Sequence, residues 1–211
     1  MWSCGDARNA SAGSMHCVSL CSRQMTAPFA GPVVDALGRH VRSHRVTYAD
    51  RMSIGTVHLL YGLAGSGKST LARELCANGA GVRFTLDEWM LRLHPELSIE
   101  DPAYGEHAAV VRDLIWSLAA QVLATGADAV LDWSSWSVER RAWVRERAQD
   151  AGADVVLHVL TTGIEEATSR AAAREAAGAT FAHRITREGN EHLASLLQPP
   201  SADEGLEIIR H

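Results

Sequence analysis

Lysine is almost missing from this chain of 211 residues: of its 20 lysines and arginines only one is a lysine, Lys68. Cysteine is scarce as well. Cys4, Cys17 and Cys21 fall in the first 21 residues and Cys76 stands alone, which is no disulfide framework and points to a reducing cytoplasm. His16 with Cys17 and Cys21 has no second ligand pair at usable spacing, so a metal knuckle is not expected there. No apolar run reaches the roughly 18 residues of a membrane span, and the basic N-terminal stretch lacks the apolar segment of a secretory signal. The ten histidines show no metal or triad spacing, and His58 and His158 sit inside predicted strands as core residues. Net positive charge is absent too. The formal charge is −5, with +3 over residues 1–51 and −8 over the remainder. An acidic body argues against a duplex nucleic-acid partner and fits a neutral or cationic substrate.

Around the lone lysine the sequence reads Gly62-Leu63-Ala64-Gly65-Ser66-Gly67-Lys68-Ser69-Thr70. Gly62 to Ser69 satisfies the spacing G-x-x-x-x-G-K-[ST]. The β-branched, apolar run Thr56–Tyr61 before it reads as a buried strand, and Ser69–Cys76 behind it as a helix stopped by Gly79. Glycines let successive backbone N–H groups converge on a phosphate, and the helix N-terminus adds its positive end. Gly62, Gly65, Ser66, Gly67, Lys68, Ser69 and Thr70 are therefore the expected nucleotide-binding residues. Lys68 would reach the β- and γ-phosphates of ATP, and Ser69 would offer its hydroxyl to Mg²⁺. A compact ammonium on a flexible stem suits phosphate oxygens where arginine's planar fork fits poorly.

Residues 1–51 are small, polar and aperiodic, with a short helix expected over 33–37. They read as a poorly ordered N-terminal extension, and Met52 as an alternative start. From Met52 to His211 strands and helices alternate as one domain. Strands are expected at 82–86, 129–132, 155–160 and 206–209, and helices at 104–124, 138–151, 164–177 and 184–197. Residues 94–102 form an acidic, proline-flanked loop. Val111, Leu114, Ile115, Leu118, Val122 and Leu123 make the expected apolar face of the helix over 104–124. Alternating βα units with apolar strands give an α/β fold: a parallel sheet flanked by helices on both faces.

Ligands of such sheets lie beyond the carboxyl ends of the strands. Asp87 follows the second strand directly and is either the base that accepts a proton from an acceptor hydroxyl or a helix N-cap; Glu88 is its neighbour and substitute. Asp132 ends the third strand, as a metal-holding carboxylate opposite Ser69 or as a cap or turn residue. Of Trp133 and Trp136, one is expected in the core and one in a pocket. Arg170 and Arg174 share a helix face beside the pliable stretch 176–180. They either neutralise a transferring phosphoryl group from a closing lid or pair with Glu165, Glu166 and Glu175. Arg140 and Arg141 are weaker candidates, and Arg145 and Arg147 belong to the surface.

On the 62–70 loop, the segment Leu86-Asp87-Glu88-Trp89-Met90, the strand end Val130-Leu131-Asp132-Trp133 and the pair Arg170-x-x-x-Arg174, residues 55–210 resemble the P-loop small-molecule kinases. These group with zeta toxins, chloramphenicol phosphotransferase and the kinase half of bacteriophage polynucleotide kinase. The resemblance implies a P-loop NTPase-type sheet with a helical lid, Asp87 as the acceptor-activating base, and a closing segment 199–209 near the adenine. It implies an ATP- and Mg²⁺-dependent transfer to a hydroxylated small molecule. No element of a motor-type ATPase is evident, and nothing in the sequence sets the oligomeric state. Glu96, Glu100, Asp101 and Glu106 follow the presumed base, an acidity that suits a cationic acceptor such as an aminoglycoside. A UDP-sugar kinase would need a basic sugar-phosphate pocket, which the sequence does not display. A nucleotide-binding regulatory ATPase with no acceptor is the remaining alternative.

Overall fold

The computed structural model describes residues 53–77, 79–178 and 185–211. The expected extension over 1–51, its helix at 33–37 and the His16, Cys17 and Cys21 group lie outside the described residues, as do 179–184 between the last two long helices.

Five parallel strands form one sheet in the order β2-β3-β1-β4-β5. They are β1 (Val57–Tyr61), β2 (Gly81–Thr85), β3 (Asp128–Ser134), β4 (Val155–Val159) and β5 (Glu207–Arg210). Between them run α1 (Lys68–Cys76), α2 (Leu86–Leu93), α3 (Tyr104–Leu123), α4 (Val138–Ala151), α5 (Ile164–Ala176) and α6 (Arg187–Leu196), then a single 3₁₀ turn at Ala202–Glu204. The strand that feeds the glycine loop is thus the middle one, with β3 and β4 on either side, and the loop opens where their carboxyl ends meet.

Strand alternation divides the core in two. Val57, Leu59 and Tyr61 of β1, with Ala129, Leu131 and Trp133 of β3 and Leu157 and Val159 of β4, face the larger cluster under α3 and α4. Leu60 and Val130 face the other way, against Ala72 of α1. The β1–β3 register jumps from Leu59↔Leu131 to Leu60↔Ser134. Asp132 and Trp133 are thereby released from pairing with β1, and bulges of this kind commonly re-aim side chains beside a site.

Two sequence expectations need correction. Leu86 does not end a strand: β2 stops at Thr85, and Leu86 opens α2, whose first turn holds Asp87 and Glu88. Two carboxylates there complement the positive end of the helix dipole. On α3 the buried stripe is Ala108, Val111, Ile115, Ala119 and Leu123, while Leu114 and Leu118 are 51% and 42% exposed. Alanines let the helix approach the sheet closely, so Ala108 and Ala119 join Val111, Ile115 and Leu123 in the seam while Leu114 and Leu118 stay outside it.

The smaller face carries a polar chain. Asp128 Oδ2 lies 3.6 Å from His58 Nε2, His58 Nδ1 is hydrogen-bonded to His158 Nε2 at 3.0 Å, and His158 Nδ1 to His211 Nε2 at 2.9 Å. His158 is 3% exposed. Burial above all, then the charges of His58 and His211, pushes it down to about 4. At pH 7 both the folded and unfolded states hold this ring neutral. As pH falls from about 6.5 towards 4, the unfolded chain takes up a proton that the folded chain refuses, so stability is lost across that window. Urea unfolding at pH 7 and pH 5 should differ by about 2 kcal/mol more for the wild type than for His158→Gln. Equal differences would remove this role from His158. Among the described residues no helix is long and apolar enough to cross a membrane.

Candidate active site

The glycine loop needs backbone conformations that side chains resist. Gly67 caps α1 at φ +104, and Gly65 has φ +83 with space for no Cβ: an added one would stand 2.0 Å from the carbonyl oxygen of Ala167. α5 therefore leans directly on the loop. Asn190 of α6, fully buried, fixes this arrangement by donating from Nδ2 to Ala64 O (3.0 Å) and to Thr168 Oγ1 (3.1 Å). Thr162 adds a bond from Oγ1 to Ser66 O (3.0 Å). Sequence reading missed Asn190. It stands in an ordinary polar stretch of a helix, and nothing local marks it.

A cleft of about 1390 Å³ opens in front of the loop. Gly65, Gly67, Lys68, Ser69 and Thr70 line it together with Asp87, Asp132, Arg170 and Arg174, so residues from α1, α2, β3 and α5 converge as the sequence suggested. Gly62 instead lines a smaller cavity of about 270 Å³ bounded also by Tyr61, Leu160, Pro199, Pro200 and Arg210. Ser66 is buried, its hydroxyl without a hydrogen-bond partner among the described residues.

Lys68 Nζ donates to the carbonyls of Gly62 (2.9 Å) and Leu63 (2.6 Å). Burial pushes its ammonium down to about 8; Asp132 and then Asp87 oppose that, and Arg174 adds to it. Those three charges are thus felt at the lysine. Ser69 Oγ donates to Asp132 Oδ1 at 3.2 Å, and Asp132 is 4% exposed. Its other oxygen is held by Arg83, from Nε at 2.8 Å and Nη2 at 2.6 Å, while Arg83 Nη1 reaches Glu88 Oε1 at 3.1 Å. Asp132 is therefore no turn residue. It lies inside β3, two residues before the strand ends, and is oriented from both sides. Glu88 is engaged by Arg83, which weakens it as a substitute for Asp87. Arg83 itself was not expected, although an arginine inside a strand demands a carboxylate partner. Asp87 is on the first turn of α2 and exposed to the cleft; Thr85, not Asp87, occupies the N-cap.

Other candidates separate cleanly. Arg170 is exposed and pairs with Glu166 at 2.6 Å, the surface pairing expected as its alternative, whereas the charge of Arg174 is felt at Lys68. Trp133 is 5% exposed and packs in the main core, while Trp136 lies under Arg140 at 4.7 Å; both touch the cleft. Arg141 is not a site residue at all. It is fully buried, donating from Nε and Nη2 to Glu204 Oε2 and Oε1 (2.6 and 2.8 Å) and from Nη1 to Ser135 O (3.0 Å). Arg145 leaves the surface to bond Glu204 O at 2.7 Å, and Arg147 reaches Asp113 at 3.5 Å. Of the acidic group after α2, only Glu100 lines the cleft. Glu96, Asp101 and Glu106 do not, and the wall beyond Asp87 presents Tyr104, Arg112 and Arg140 instead. The expected acidic pocket for a cationic acceptor is not built.

A parallel sheet in this order, with a glycine loop at its central strand and Lys68, Ser69 and Asp132 gathered at its mouth, is a P-loop fold. Residues 57–200 match the family model described as an AAA domain, and the chain belongs to that family. Among solved structures it is similar to a chain of the Pnkp1/Rnl/Hen1 RNA repair complex, with TM-score 0.57 and 22% identity over 71% of this chain and 46% of that one. It thus spans less than half the length of that relative. A candidate kinase of Chloroflexus aurantiacus gives TM-score 0.58 at 16% identity, over 76% of this chain and 86% of that one. Kti12 of Chaetomium thermophilum, solved with ADP-AlF3, gives 0.55 at 17%, over 73% and 88%. No curated protein matches the sequence.

Proposed function

We propose that this protein is an ATP-dependent phosphotransferase that passes the γ-phosphoryl group to the hydroxyl of a small-molecule acceptor. The observation that carries the reading is the shared cleft, in which Lys68, the Ser69–Asp132 pair and Asp87 all face one volume and the charge of Asp87 is felt at Lys68. The nucleotide's phosphates would lie along the 62–70 loop, whose N–H groups and α1 N-terminus suit an anion. The smaller cavity beside Pro199 and Pro200 would receive the adenine, in keeping with the resemblance of this closing segment.

In the transfer, the acceptor oxygen forms its bond to the γ-phosphorus while the bond from that phosphorus to the bridging oxygen breaks. ADP leaves with the electron pair, and Asp87 takes the acceptor's proton. Lys68 turns from the loop carbonyls to the β- and γ-oxygens, and Arg174 offsets the developing charge. Ser69 Oγ and Asp132 Oδ1 are hard oxygen donors 3.2 Å apart, and they fit the Mg²⁺ that accompanies ATP. Ser69 and Asp132 would hold that ion, and it would supply charge neutralisation for the phosphates.

The direct test is incubation with γ-labelled ATP and Mg²⁺ against pooled acceptors: sugars, sugar acids, sugar phosphates, UDP-sugars, nucleosides, chloramphenicol and aminoglycosides. Labelled product is expected in at least one pool. Lys68→Ala should lower the rate by about two to three orders of magnitude while circular dichroism stays unchanged; retained transfer would refute the reading. Slow phosphate release that no acceptor alters, together with an innocuous Asp87→Asn, would mark a nucleotide-binding switch instead.

A further inference from the structure

We propose that Arg112 and Arg140 form an anion subsite, so that the acceptor is a hydroxyl compound that also carries a phosphate or carboxylate. The inference rests on the transfer reading for the acceptor's role and on the far wall of the cleft for its charge. Arg112 projects from α3 and Arg140 from α4, and both line the cleft. The Arg112 guanidinium lies 5.2 Å from the Trp143 ring centroid. Its Nε is buried without a hydrogen-bond partner among the described residues. Arg140 is stacked over Trp136 at 4.7 Å. Among the described residues neither guanidinium forms a salt bridge to a carboxylate.

Two partly desolvated cations in one wall are costly unless an anion joins them. Arg140 is held below its ordinary value first by burial and next by the charge of Arg112, with Glu139 and Tyr104 opposing. Trp136 lies beneath Arg140, and the Trp143 ring near Arg112 is also covered by Arg147 at 3.8 Å; a planar donor fork matches a carboxylate or phosphate at two oxygens. The acids of the cleft lining are Glu74, Asp87, Glu88, Glu100 and Asp132, of which Glu88 and Asp132 are engaged by Arg83.

The order of the groups also suits the chemistry. The charge of Asp87 is felt both at Lys68 and at Tyr104, and all three line the cleft. Tyr104, whose hydroxyl burial and then Asp87 push up to about 12, is in turn felt at Arg140. A hydroxyl presented to Asp87 would therefore belong to a molecule whose remaining length extends towards the arginines. An anionic anchor there would hold it in line with the phosphate loop.

Two measurements test this on the full chain. In the first, protein saturated with Mg²⁺ and a non-hydrolysable ATP analogue is titrated calorimetrically with inorganic phosphate. Saturable binding is expected, weakened about tenfold or more in R112Q/R140Q. No binding, or equal binding by a variant that still takes up the analogue, overturns the subsite. In the second, labelled ATP is offered with phosphorylated and carboxylated sugars beside their neutral parents and aminoglycosides. Transfer confined to the anionic members is expected, with KM for the acceptor raised about tenfold in R140Q and kcat changed less. Equal transfer to neutral or cationic members overturns the subsite and leaves the transfer reading standing. Phosphate binding that needs both arginines, with no acceptor labelled, does the reverse.

Discussion

Asp87→Asn is expected to cut acceptor phosphorylation by about two to four orders of magnitude, the range of a positioned general base, with affinity for ATP nearly unchanged. Asparagine is almost the same shape and still occupies the first turn of α2, so the fold has no reason to respond. What disappears is the capacity to take a proton as the acceptor oxygen attacks. The loss should fall on kcat and kcat/KM together, because the interaction is made only in the transition state. The rate of ATP hydrolysis without acceptor and the Kd for a fluorescent ATP analogue separate the alternatives. If affinity for the nucleotide falls and turnover does not, Asp87 belongs with Ser69 and Asp132 around the metal and not with the acceptor.

The largest effect on stability is expected at Arg141. Its guanidinium is wholly buried and engages both oxygens of Glu204 and the carbonyl of Ser135, with the Tyr61 ring 5.7 Å from its centre. These bonds from Arg141 are the main reason that the Glu204 carboxyl is held below its usual range. Arg141→Met removes the cation and leaves a largely buried carboxylate unpaired, a change that costs about 3–5 kcal/mol. For a domain of this size that lowers Tm by about 10 °C or more. The partner variant Glu204→Gln should be similarly harmful alone, and the double variant less harmful than the sum of the two. Additive losses would mean that the pair does not act as one unit. Because Glu204 also closes a capping box with Ser201, the damage should be felt first in the segment running to β5, which borders the cavity proposed for the adenine.

The glycine loop, the strand before it and the helix behind it were legible because their signals are local: a fixed spacing, a β-branched run, an apolar periodicity. The same holds for α4, where residues 138–151 were read with both ends right. There Ser137 caps the first turn through Arg140 N, and Gly152 takes the left-handed conformation that ends the helix. Asp132 was legible for a related reason. A carboxylate that interrupts an apolar strand close to its carboxyl end stands out from its neighbours. α2 was missed because Leu86 continues an apolar run and only the sheet's edge decides where β2 stops. On the apolar face of α3, Val111, Ile115 and Leu123 were placed rightly, but Leu114 and Leu118 stood in for Ala108 and Ala119. Hydrophobicity alone ranks leucine above alanine, whereas close packing against strands prefers the smaller side chain.

By itself the sequence determined the α/β class, the glycine loop with its single lysine, and the placing of Asp87 and Asp132 at the ends of apolar runs. Each of these is written in residues adjacent along the chain, where covalent geometry holds the partners together. Tertiary structure alone decided which polar groups meet. Arg83 is joined to Asp132 across 49 positions, Arg141 to Glu204 across 63 and Asn190 to Ala64 across 126. The same folding turned the acidic loop after α2 largely away from the cleft and brought Arg112 and Arg140 into its wall. Electrostatics acts through space and depends on burial, so the charge of an acceptor pocket is a property of the folded surface, which no local stretch of sequence encodes.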